Sequence, residues 1–153
     1  MAFRFTFEVA GERQIDRTLA RFAENIGDAR PVWEVLAERF AKAEARQFAS
    51  QGTYGGNKWR ALSPGYAAWK SHHYPGKPIL ELTGALKRDL TQRPFGVEVL
   101  EPGSMAVGTD IEYAAYHQAG GEHLPRRRPV ELPESERRTW IKLIQRFIIT
   151  GDA

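Results

Sequence analysis

The sequence predicts an α+β protein, a small antiparallel sheet packed with three or four helices and carrying long loops or arms. Three observations point to it. Apolar residues alternate with period two at the start of the chain. They recur at spacings of three and four in several later segments. Two short alternating runs flank a Pro-Gly pair in the second half.

Taken in order, Phe3, Phe5, Phe7 and Val9 alternate with Arg4, Thr6 and Glu8, which predicts a half-buried strand ended by Gly11. From Glu12 the period changes. Ile15, Leu19, Phe22 and Ile26 lie on one helical face, and a glycine interrupts at Gly27. Pro31 suits the first position of a second helix, with Val32, Val35, Leu36, Phe40 and Ala43 as its stripe, running to about Ala49. Residues 51–58 hold three glycines and read as loop. Ser63 and Pro64 form an N-cap and first-turn proline for a short helix carrying Tyr66, Trp69 and Lys70. His72 to Pro78 reads as loop.

Leu82, Leu86 and Leu90 predict a further helix with Thr83 as its N-cap, ending before Pro94. Residues 97–100 and 104–109 then form the hairpin around Pro102-Gly103. Residues 110–119 read as a short helix or turn closed by Gly120 and Gly121, and residues 129–132 as a strand. Ser135 to Ile149 is a last helix so apolar that it must dock on its own domain or on a neighbour. One domain over residues 1–153 is expected, with segments 51–80 and 117–133 projecting from it.

Composition narrows the function classes. With 42% hydrophobic and 27% charged residues, the chain matches folded proteins rather than disordered ones. No apolar run reaches membrane-helix length, and the N-terminal alternation is not expected of a signal peptide. The lack of cysteine excludes disulfides, thiol catalysis and Cys-ligated metals. Net charge is +3, and all of that excess falls within residues 53–103. The value is mild for a nucleic-acid binder, yet a DNA-binding module built on that basic segment is a competing expectation.

No catalytic, cofactor-binding or metal-ligating constellation emerges. His72 and His73 are adjacent, and neighbouring side chains diverge in regular structure, so a solvent-facing loop is the expected reading. His117 lacks a nucleophile and an orienting acid nearby in sequence. The glycines of GTYGGNK lack phosphate-loop spacing. What stands out is aromatic and basic density: Trp59, Leu62, Tyr66, Trp69 and Lys70 in one segment, then Tyr113, His117 and Gln118, then Arg126, Arg127 and Arg128. Trp, Tyr and Arg concentrate at interfaces, so these eleven are the candidate contact residues. Alanine at Trp59 or Arg127 is then expected to leave a folded monomer that assembles poorly. Between two prolines, the three adjacent arginines cannot all face one way.

Four stretches carry a resemblance. KWRALSPGYAAWK, LELTGALKRDL, VGTDIEYAAYHQAGG and LPRRRPVELPESE appear in the order, and with the key residues, of the phage virion morphogenesis family. That family includes the capsid-assembly G protein of Mu-like phages and the tail-completion S protein of P2-like phages. The resemblance covers roughly residues 55–135, and it departs at Val130, where Phe is common, and in a longer arginine run. It implies a non-enzymatic structural protein of the virion neck or tail end, acting in tail completion or head–tail joining. It further implies a homo-oligomeric ring, often a hexamer, contacting tail-tube or head-connector proteins, with DNA in the lumen and no membrane. Assembly would take place in the bacterial host cytoplasm, without a cofactor.

Overall fold

The computed structural model describes residues 12–153; the strand expected over residues 3–9 lies outside them. Among the described residues six helices surround one hairpin: α1 (Glu12–Gly27), α2 (Arg30–Ala49), α3 (Pro64–His73), α4 (Ala85–Thr91), β1 (Val97–Glu101), β2 (Ser104–Gly108), α5 (Glu112–Ala119) and α6 (Glu134–Thr150). The class is α+β, as the patterning implies, with more helices than the three or four expected. No helix among them is long and apolar enough to cross a membrane.

Helix α2 is the organiser. Pro31 opens it, where the missing N–H costs no intrahelical bond. Its face of Ala37, Phe40 and Phe48 joins Trp59, Leu86, Leu90, Phe95 and Ala114 in the main core. Phe40 and Phe95 meet edge to face at 5.2 Å, as do Phe48 and Trp59 at 5.3 Å. Its first turns, through Val32 and Leu36, hold Phe147 of α6 in a second cluster that Trp140 links to the first. The apolar last helix therefore docks on its own domain, although Ile141 and Ile149 stay exposed.

The hairpin pairs Val97 with Gly108 through Glu101 with Ser104 across the predicted Pro-Gly turn. Arg93 ties it to α2. Its guanidinium bonds Glu98 of β1 and reaches Glu34 at 2.7 Å and Glu38 at 3.2 Å.

Three elements differ from the sequence reading. The loop expected from His72 begins two residues later, because α3 runs through His73. Helix α4 starts at Ala85, not near Leu82. Gly84 has φ +81, which no helical residue adopts, so Thr83 sits one position before the cap and its hydroxyl accepts the Ala85 N–H. Residues 129–132 form no strand. Side chains satisfy this backbone instead. Gln118 donates to Val130 O at 2.9 Å and accepts Val130 N–H at 3.2 Å, while Gln47 and the Trp59 indole both donate to Arg128 O.

Stripe residues Ile15, Leu19 and Ile26 of α1 are more than half exposed. Among the described residues α1 packs mainly against α6, where Asn25 donates to Phe147 O and Ile148 O.

Candidate assembly cleft

The segments expected to project are bound to each other. Arg127 donates to Arg60 O at 2.6 Å and Ala61 O at 2.9 Å, and Asn57 donates to the Glu131 carboxylate. Glycine makes this seam possible. At Gly52, with φ +90, a Cβ would lie 2.4 Å from Asn57 O and from the Trp59 ring. At Gly55 it would lie 2.8 Å from Glu131 O. Gln47, fully buried in α2, joins both sides by accepting Gly55 N–H at 2.8 Å and donating to Arg128 O at 3.1 Å.

Beyond this seam the chain leaves a cleft of about 1010 Å³ between α3, the 79–83 turn, α5 and the 121–125 loop. Six of the eleven candidate residues line it: Leu62, Tyr66, Lys70, Tyr113, His117 and Arg127. They are separated by up to 65 positions in sequence, and the fold brings them together.

Placement varies among the candidates. Trp59 is 3% exposed and belongs to the core. Lys70 is 4% exposed, with Nζ donating to Pro78 O, and Arg127 is 5% exposed. The expectation that alanine at Trp59 or Arg127 leaves the fold intact is therefore corrected. Trp59 fills core volume, and the buried Arg127 ties its segment to the carbonyls of Arg60 and Ala61. Gln118 is occupied in holding Val130. The arginines diverge as their spacing requires: Arg126 reaches Gln118 O from an exposed position, Arg127 turns inward, and Arg128 pairs with Glu131. Tyr66 and Trp69, each 43% exposed, stack at 5.5 Å on the outer face of α3, and Trp69 stacks on His73 at 4.9 Å. Tyr113 is exposed and meets His117 edge to face at 6.4 Å.

The electrostatics follow from burial. Desolvation lowers the Lys70 pKa, with nearby Glu81 opposing the shift. Burial lowers that of Arg127 as well, reinforced by the charge of Arg60. His117 is held below its ordinary value, first by burial and then by the Arg127 charge, which favours a neutral ring. Its Nδ1 is buried without a partner among the described residues. No hydrogen bond among the described residues joins His117 to a hydroxyl or a carboxylate.

Sequence reasoning missed the wall made by residues 79–82. Leu80 adopts φ +61, unfavourable for a branched side chain. Nothing in the sequence announces that conformation. The nearby Gly84 is the one signal that this stretch leaves helical geometry.

No characterised protein and no solved structure matches the chain. Residues 11–142 match the sequence profile of the phage virion morphogenesis family, which spans the seam, the cleft and most of the core. By that match the chain belongs to the phage virion morphogenesis family.

Proposed function

We propose that this chain is a structural subunit of the virion neck or tail end, acting in tail completion or head–tail joining as part of a ring, without catalysis of its own. The observation that carries the reading is the exposed Tyr66–Trp69–His73 stack on α3, set beside the cleft. Exposed aromatic surface of this kind is an anchor for protein contacts, and its partly rigid rings lose little entropy on docking. A head-to-tail contact between such a face and another surface of the next copy closes into a ring when the rotation closes. Assembly would take place in the bacterial host cytoplasm, and the finished ring would reside in the virion, between tail-tube and connector proteins.

The basic 53–103 segment supports a DNA-binding module less well. Of its seven cations, Lys70 is buried, Lys87 is held by Glu81, and Arg93 is held by three carboxylates. The other four, Lys58, Arg60, Lys77 and Arg88, are exposed, fewer than the roughly six to ten phosphate contacts of a strong duplex binder.

The test is Trp69→Ala, followed by light scattering and electron microscopy. Wild type should form rings, and the variant should melt at the same temperature but stay monomeric. A monomeric wild type at assembly concentrations, or unchanged rings in the variant, would refute the assignment.

A further inference from the structure

The apolar walls of the cleft do not account for its cations. Lys70 and Arg127 line it while being 4% and 5% exposed. Buried cations are costly unless an opposite charge compensates them. Among the described residues neither donates a hydrogen bond to an anionic group. Lys70 Nζ donates to Pro78 O, and Arg127 donates Nε and Nη2 to the carbonyls of Arg60 and Ala61. Arg127 Nη1 has no acceptor among the described residues. Arg60, exposed at the rim, adds a third positive charge.

The acids of the wall do not balance this set. Glu81 lies near Lys70, but both of its oxygens accept Lys87 Nζ at 3.2 Å, and Glu122 is exposed to solvent. Around these charges stand Leu62, Ile79, Leu82 and Leu124. The left-handed Leu80 fixes one wall in an unfavourable backbone conformation, a feature that clusters at ligand sites.

We propose that the cleft receives the carboxylate of an aspartate or glutamate side chain on a partner polypeptide, with that residue's apolar neighbours against the leucine and isoleucine wall. A guanidinium with an N–H that has no acceptor among the described residues matches a carboxylate oxygen by a charge-assisted hydrogen bond, and the Lys70 ammonium lines the same cleft. Protein is favoured over DNA because duplex phosphates lie on a wide convex rod and meet exposed cations, whereas these two are sunk among apolar side chains. The inference deepens the assembly reading by giving the chemistry of a partner. Its test uses the unassembled or assembled protein alike, so it can fail while ring formation succeeds, and the reverse.

The probe is hexanoate, compared with hexanamide, titrated into the full chain while the His117 ring signals are followed by NMR. His117 lines the cleft and serves as the reporter; exposed His72, outside the lining, is the control. Hexanoate should shift His117 saturably, in the weak range expected of a fragment, and at least about tenfold more tightly than the amide. Arg127→Gln and Lys70→Met should each abolish that preference; the acid-against-amide comparison in the native chain decides the matter if either variant fails to fold. Equal binding of acid and amide, or no saturable shift with either, overturns the proposal. So does displacement of hexanoate by short duplex DNA at physiological salt, which would make the cleft a nucleic-acid surface.

Discussion

Replacing Glu44 by glutamine should become steadily more stabilising as pH rises from 4.5 to 8. Glu44 lies on the core face of α2, one turn from Phe40 and Phe48, with 0% exposure. Neither carboxylate oxygen has a hydrogen-bond partner among the described residues. Burial alone raises its pKa from 4.5 to about 8. The folded form therefore binds a proton more tightly than the unfolded form does. Below pH 4.5 both states are protonated and the group has no effect. Between pH 4.5 and 8 the unfolded state ionises while the folded state does not, so stability falls as pH rises. Each pH unit in that window costs about 1.4 kcal/mol, which amounts to about 3 kcal/mol at pH 7. Glu44→Gln keeps the shape and cannot ionise. Its unpaired amide adds a constant offset, while titration of the other carboxylates cancels in the difference. For a chain of this size the gain corresponds to roughly 6–12 °C in melting temperature. Circular-dichroism melts of both proteins across pH 4.5 to 8 measure it. A stability difference that stays flat across the window, or that shrinks as pH rises, would show that Glu44 is paired or hydrated in the folded state.

Other expected outcomes concern the seam. Trp59→Phe should cost about 1–2 kcal/mol through the lost indole bond to Arg128 O, and Trp59→Ala about 3–5 kcal/mol, measured by urea unfolding. Equal costs would place the Trp59 contribution outside the core. Gly52→Ala should destabilise by about 2 kcal/mol or more, since the new methyl meets Trp59 and Asn57 at a positive φ; a neutral result would mean that the seam is not packed this way. Gln118→Leu leaves both polar groups of Val130 unpaired and should cost about 1–3 kcal/mol, with hydrogen exchange at the Val130 amide accelerated first. An unchanged exchange rate there would refute the bridging role.

Local patterning made much of the scaffold legible. The spacing of Val32, Leu36 and Phe40 fixed α2, Pro31 its start, and Pro102-Gly103 the hairpin, because helix periodicity and turn chemistry act over a few residues. The same logic foresaw that Arg126, Arg127 and Arg128 diverge. The motif order placed the chain in its family before any geometry was known, and the profile match over residues 11–142 agrees.

Local pattern could not say which aromatic is core and which is surface. Trp59 and Trp69 stand in similar basic, aromatic surroundings ten positions apart. One packs edge to face on Phe48 inside the protein, and the other stacks with Tyr66 outside it. The difference comes from Gly52 letting its own loop fold tightly onto Trp59, from Gly55 letting the Glu131 segment approach, and from Gln47 and Arg127 meeting carbonyls far away in sequence. These are long-range contacts between side chains and backbone, and they leave no periodic trace in the chain. The sequence by itself determined the family, the α+β class and most of the elements in their order. Only the tertiary structure decided that two candidate arms close on each other, and that their closure leaves a cleft with two buried cations.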